Sequence, residues 1–143
     1  MTETSYQLEP EVAGGFGDAT VIDASVTPEV VTQLEYRFDG WLGDELVEFI
    51  TVHLVTTRVR DALVDAGITG IRFAPVTVSR SEQFDEVHSG EPLPEWVWMQ
   101  VVGAPAHDDA WIGAGQMLTV SERMLAVLQR FSLSHCRIAP IEP

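Results

Sequence analysis

The chain has 143 residues, of which 45% are apolar, enough for one globular domain with its own core. Its 22 acidic and 8 basic residues give a net charge of −14, and every basic residue is an arginine. The missing lysine excludes P-loop and Schiff-base chemistry, and the negative charge argues against nucleic acid as a partner. The single cysteine, Cys136, excludes an internal disulfide.

The sequence predicts a cytoplasmic protein without a membrane segment. No apolar run reaches the roughly 18 residues that a membrane-spanning helix needs. The first residues, "MTETSYQLEPEVAGG", carry acids where a signal peptide would carry bases and an apolar stretch.

The acidic N-terminal segment, residues 1–29, is expected to be partly flexible, and residues 30–143 are expected to form one domain. Order is predicted to begin near Val30. Leu34, Tyr36 and Phe38 then alternate with polar residues, as in a half-buried strand. A second strand is predicted in "VEFITVHLV".

A helix followed by a strand is predicted over residues 55–76. Thr56 is a good N-cap, apolar residues follow at helical spacing, and Gly67 stands where a left-handed C-terminal residue belongs. The polar, proline-bounded segment 80–94 is predicted to be a loop. The apolar stretch "EWVWMQVVG" indicates a central strand covered on both faces.

The helix–strand pattern recurs at residues 120–141, where Ser121 is the predicted cap. Over 22 aligned positions the two segments share six identities, including the arginines Arg58 and Arg123. This favours pseudo-repeats at about 39–79 and 109–143. The predicted fold is therefore α+β, a single mixed or antiparallel sheet with two pseudo-repeated helix–strand units.

Arg58 and Arg123 are predicted to lie in the first turns of their helices, where the helix dipole disfavours a base. Nearby carboxylates should compensate, and the two "D-x-W" segments suggest Asp39 and Asp109 as partners. The alternative interpretation is a pair of anion-binding arginines.

Aromatic and acidic residues in the predicted turns are candidates for a binding surface. Trp41 and Trp111 each stand beside acids, and Trp41 is expected to be partly exposed. The complete set of candidate binding residues is Asp39, Trp41, Asp44, Glu45, Arg58, Asp108, Asp109, Trp111 and Arg123.

No catalytic residue, cofactor site or metal site is predicted. Neither glycine-rich stretch has the third glycine of the dinucleotide fingerprint, and no nucleophile-elbow or zinc-protease motif occurs. The four histidines, His53, His88, His107 and His135, lack metal-ligand spacing. These observations favour a non-enzymatic protein.

Several segments carry a resemblance. "YRFDGWLGDELVE", "VTTRVRDALVDAGITGIRFAPV", "SRSEQFDE", "LPEWVWMQVVG" and "VSERMLAVLQRFSLSHC" together resemble a group of small uncharacterised bacterial proteins, from about Gly15 onward. The helix–strand units are also similar, more loosely, to immunity proteins of polymorphic toxin systems. The second resemblance implies a protein that binds and blocks a cognate toxin.

The leading hypothesis is a non-enzymatic protein-binding domain, an immunity or antitoxin-like inhibitor whose acidic surface binds a basic, toxin-like protein. One alternative is a small-molecule-binding module or enzyme with a pocket between the two repeats, near Arg58, Arg123 and the turn tryptophans. Another is a structural subunit that forms homo-oligomers through "WVWMQVV" or an exposed tryptophan.

Overall fold

The computed structural model describes residues 4–88 and 90–141. The elements in chain order are β1 (Ser5–Glu9), β2 (Gly14–Phe16), β3 (Val21–Asp23), β4 (Val30–Gln33), β5 (Glu35–Phe38), β6 (Leu46–Phe49), β7 (Val52–Thr56), α1 (Thr57–Asp65), β8 (Ile71–Ala74), β9 (Thr77–Arg80), α2 (Glu82–Val87), β10 (Trp96–Val101), β11 (Ala110–Ile112), a 3-10 turn (Ala114–Gln116), β12 (Leu118–Ser121), α3 (Glu122–Leu128) and β13 (Arg137–Ile141).

The described strands form four small sheets. Sheet I has the order β6-β7-β10-β8 and sheet II the order β11-β12-β1-β13, and both are antiparallel throughout. Sheet III has the order β2-β5-β9, with β5 and β9 parallel, and β3 and β4 form a separate ribbon. The predicted fold class, a single sheet with two helix–strand repeats, is therefore wrong, and the protein is mostly β.

The two helix–strand segments lie in different sheets, and in each sheet a further strand lies between the strand before the helix and the strand after it. In sheet I, β10 lies between β7 and β8 and is antiparallel to both. In sheet II, β1 occupies the same place between β12 and β13. Each sheet thus consists of a hairpin, the strand that returns after the following helix, and one strand from elsewhere in the chain. Hydrophobic periodicity does not specify which distant strand enters such a gap.

The N-terminal segment is part of the fold from its first strand. β1 is one of the two inner strands of sheet II, and its Leu8 is buried in the core. Ordered structure therefore begins well before Val30, the position that the sequence suggested. Further along, Leu34, Tyr36 and Phe38 are all buried, as their alternation predicted.

β10 separates two hydrophobic clusters. Met99 joins the first cluster, with Val59 and Leu63 of α1 and Met124 and Leu128 of α3. The second, which we call the aromatic cluster, contains five buried aromatic side chains, Tyr36, Phe38, Phe84, Trp96 and Trp98. The prediction that "EWVWMQVVG" is a central strand covered on both faces is confirmed.

The local predictions for the two longer helices are confirmed. The backbone N–H of Val59 donates to Thr56 Oγ1, and that of Met124 donates to Ser121 Oγ. Gly67, with a φ of 68°, follows the end of α1. The predicted loop 80–94 is wrong in part, because Ser81 caps α2 and Phe84 anchors it in the aromatic cluster. Among the described residues, no helix is long and apolar enough to cross a membrane.

Candidate functional site

A carboxylate joins the start of α1 to the loop that follows α3. Glu45 immediately precedes β6 and is almost fully buried. Its Oε1 accepts from Thr56 Oγ1 at 3.0 Å and from Arg58 Nε, and its Oε2 accepts from Arg58 Nη2 at 2.7 Å. Its Oε2 also accepts from the backbone N–H of Ser132 at 3.2 Å. We call this arrangement the Glu45 clamp.

The same arrangement recurs at the start of α3 as the Asp109 clamp. Asp109 immediately precedes β11 and accepts from Ser121 Oγ at 2.7 Å and from Arg123 Nη2 at 2.6 Å. It also accepts from the backbone N–H of Thr69, in the loop after α1. Arg123 extends further, to the carbonyl oxygens of Ala66 and Gly67 at the end of α1. Each carboxylate therefore ties the start of one helix to the end of the other.

The predicted counter-charges are right at one clamp and wrong at the other. The Arg123–Asp109 pair is confirmed. Arg58 pairs with Glu45, not with Asp39, which is exposed. The "D-x-W" match misplaced the partner. The informative signal is position, since Glu45 and Asp109 each stand directly before the first strand of a hairpin.

These contacts lower the pKa of both carboxyl groups. At Glu45, the hydrogen bonds from Arg58 are the largest cause, and they outweigh the opposing effect of burial. At Asp109, burial alone would raise the pKa. The hydrogen bonds from Arg123, Thr69 and Ser121 together exceed it and hold the pKa at about 2. Both carboxylates are thus ion-paired, and few guanidinium N–H groups of Arg58 and Arg123 are left to bind an external anion.

We expect the Asp109 clamp to weaken as the pH falls from about 4 to about 2. The pKa of Asp109 in the folded protein lies below its ordinary value of 3.8. The stabilisation that the clamp provides is therefore complete above that ordinary pKa, and it is lost as the pH falls through the pKa of the folded protein. The contribution is at most about 2 kcal/mol, because Arg123 is half exposed. Urea unfolding across this pH range should show a steeper loss of stability for the wild type than for Asp109→Asn. Equal slopes would contradict the assignment, and exposed Asp39→Asn serves as the control.

Two open grooves flank Trp41. The first, of about 390 Å³, is lined by Trp41, Gly43, Glu45, Arg58, Pro92, Leu93, Pro94 and Ser132. The second, of about 330 Å³, is lined by Glu11, Val12, Ala13, Gly14, Asp39, Gly40, Trp41, Leu42, Gln83 and His88. Trp41 is half-buried, as predicted, with its ring against Trp96 and its indole N–H donating to the carbonyl oxygen of Asp44. It is the wall that the two grooves share.

The structure divides the nine candidate residues into three groups. Asp39, Trp41, Glu45 and Arg58 line the two grooves. Asp109 and Arg123 form the other clamp, while Trp111 is buried in β11, and neither groove includes them. The remaining two acids serve the backbone, because Asp44 is buried and accepts from His135, and Asp108 accepts from the N–H of Ala104.

Two residues that the sequence analysis did not select come together with Asp44. Ligand atoms of Glu11, Asp44 and His135 all lie within 4.8 Å of one another. His135 Nδ1 lies 3.0 Å from Asp44 Oδ1, and Glu11 accepts from the N–H of Leu42 at 2.8 Å. Burial is the main cause that raises the pKa of the Glu11 carboxyl, and the charge of Asp44 adds to it. No spacing signal points to this cluster, because its members come from three distant segments.

Exposed acidic side chains are numerous in the segments that contribute to the second groove, of which Asp39 lines the groove itself. Gln83 and His88, which line it, belong to α2 and its C-cap, and α2 also carries the exposed acids Glu82, Asp85 and Glu86. We call Asp39, Trp41, Leu42, Glu82, Asp85, Glu86 and Glu91 the Trp41 surface. It combines an aromatic wall, the 64% exposed Leu42 and five acids.

Comparison with known proteins adds no assignment, since no protein-family model and no curated protein matches this chain. The resemblances noted from the sequence therefore stay predictions.

Proposed function

We propose that the protein is a non-enzymatic binding domain, an immunity or antitoxin-like inhibitor, whose Trp41 surface binds a basic protein. The observation that carries this proposal is the second groove beside the half-buried Trp41, which is lined by the exposed Asp39 and by Gln83 of the acidic helix α2. A cytoplasmic location also stays a prediction.

The distribution of charge supports a basic partner. Among the residues that the structure describes, six of the eight arginines form ion pairs with acids of the same chain: Arg37, Arg58, Arg60, Arg80, Arg123 and Arg137. Their charge is thus neutralised locally, and the surplus of −14 belongs to acids. Such a surface attracts a basic protein over long distances and repels acidic ones.

The shape of the Trp41 surface supports protein binding over small-molecule binding. Tryptophan is a frequent anchor of protein interfaces because it offers a large apolar area with one polar group. Leu42 and Val87 add exposed apolar area close to the acids of α2. The alternative of an anion-binding pocket between the repeats has less support. Glu45 occupies the Arg58 fork, and neither Arg123 nor Trp111 lines the grooves beside Trp41.

The test begins with the purified chain as bait in lysate of its native host, at salt of about 50 mM and then about 300 mM. Retained proteins are identified by mass spectrometry, and the purified partner is then titrated against the wild-type chain. We expect one basic partner that is released as the salt rises, because screening weakens the attraction between exposed charges.

Charge reversal locates the interface. The double variant Asp39→Lys/Glu86→Lys should weaken binding of the purified partner by about tenfold or more, because both exposed acids lie on the Trp41 surface. The control, Glu29→Lys/Asp65→Lys, changes the net charge equally at exposed positions outside both grooves. It should retain affinity within about threefold. Equal effects of the two variants, or a partner that is not basic, would contradict the proposal.

A further inference from the structure

Two buried acids, Glu11 and Asp44, meet His135 in a cluster where no arginine of the described residues pairs with either carboxylate. Among the described residues, the buried acids are Glu11, Glu35, Asp44 and Glu45. Arg37 lies 3.5 Å from Glu35, and Arg58 holds Glu45. Glu11 and Asp44 have backbone N–H donors, and His135 is in hydrogen-bond contact with Asp44 and within 4.8 Å of Glu11. Buried carboxylates are stable only when a cation or a full set of donors compensates them.

The three side chains form a donor set that suits a transition metal. Two carboxylates and one imidazole are typical ligands of Zn²⁺ and its neighbours, whereas Mg²⁺ and Ca²⁺ prefer oxygen ligands alone. Their ligand atoms lie within 4.8 Å of one another, and ligands of a tetrahedral Zn²⁺ are roughly 3.3 Å apart. A small inward movement of the side chains is therefore enough to close the site.

The fold holds two ligands rigidly and leaves the third accessible. Glu11 is fixed by a bridge to Val47 and by the N–H groups of Leu42 and Asp44. Asp44 is only 1% exposed, while the side chain of His135 is 43% exposed. An ion can thus enter from the side of His135 and meet two carboxylates that are already in place, which lowers the cost of assembling the site.

We propose that Glu11, Asp44 and His135 bind one divalent transition-metal ion, with Zn²⁺ as the reference ion. Three protein ligands leave a coordination position for water or for an external group. The site would also join the N-terminal segment, the turn before β6 and the loop before β13. This proposal is independent of the partner proposed above.

The experiment titrates Zn²⁺ into the metal-free full chain by isothermal calorimetry and Co²⁺ by visible absorption. We expect one saturable Zn²⁺ site per chain. Bound Co²⁺ should give the visible absorption bands of a low coordination number, and these bands should disappear when Zn²⁺ displaces Co²⁺. Mg²⁺ at equal concentration should not compete. Because Asp44 is buried, the exposed His135 provides the main variant, and His135→Ala should weaken Zn²⁺ binding at least about tenfold.

The matched control is His107→Ala, which removes an exposed histidine outside the cluster and should bind Zn²⁺ like the wild type. Glu11→Gln, with near-equal volume, should reproduce the loss seen with His135→Ala. Zn²⁺ should also raise the melting temperature of the wild type but not of His135→Ala. The proposal is overturned if His135→Ala retains wild-type affinity, if Mg²⁺ competes equally, or if no saturable site exists.

Discussion

Gly103→Ala is expected to lower the free energy of unfolding by about 3 kcal/mol or more. A Cβ at Gly103 would overlap the carbonyl oxygen of Ala110 and press on Asp108 and on the backbone of Gly70. Val102, just before it, donates to the carbonyl oxygen of Gly70. The backbones that follow β10 and precede β11 thus meet here, where sheet I approaches sheet II.

Urea unfolding of the two glycine variants checks this expectation. Gly40→Ala is the control, because a Cβ there meets only the His88 ring at 3.8 Å and the backbone has no positive φ. It should change stability by less than about 0.5 kcal/mol. Equal urea midpoints for the two variants would show that the sheets do not approach closely at Gly103.

Glu45→Ala is expected to cost about 3 kcal/mol through loss of the Glu45 clamp. The buried carboxylate accepts from the Thr56 hydroxyl, the Ser132 N–H and the guanidinium of Arg58. Arg58 is well exposed and can turn to water, but the hydroxyl of Thr56 is buried and loses its acceptor. The loop after α3 also loses its connection to the start of α1.

The control for the Glu45 clamp is Glu95→Ala, an exposed glutamate directly before β10, which should change stability by less than about 0.5 kcal/mol. Glu45→Gln should fall between the two, because an amide oxygen still accepts from Thr56 or Ser132 while the charge is gone. If Glu45→Ala unfolds at the same urea concentration as Glu95→Ala, the clamp does not stabilise the fold.

The Glu45 clamp also forms one wall of the first groove beside Trp41. Charge reversal at Asp44 or Glu45 would therefore disturb the fold as well as any interface. For this reason the exposed acids Asp39 and Glu86 are better probes of the proposed binding surface than the buried acids that the sequence suggested.

The candidate site could be predicted only in part. The exposure of Trp41 and the Arg123–Asp109 pair follow from residue type and from position at a helix start. Local sequence does not predict the pairing of Arg58 with Glu45. It also does not predict that Asp44 meets Glu11, 33 residues away, and His135, 91 residues away. Contacts of that range depend on how strands are arranged in space, and a pattern along the chain does not record it.

What the sequence determined by itself is local. The caps Thr56 and Ser121, the left-handed Gly67 and the alternation of Leu34 with Tyr36 depend only on neighbouring residues and the period of the backbone. The tertiary structure decided how the strands divide into four sheets. β1 and β10 fill equivalent positions in their sheets, although β1 precedes the hairpin β11–β12 and β10 follows the hairpin β6–β7. Strand pairing requires a strand edge of matching direction and a buried face, and it does not require proximity in sequence.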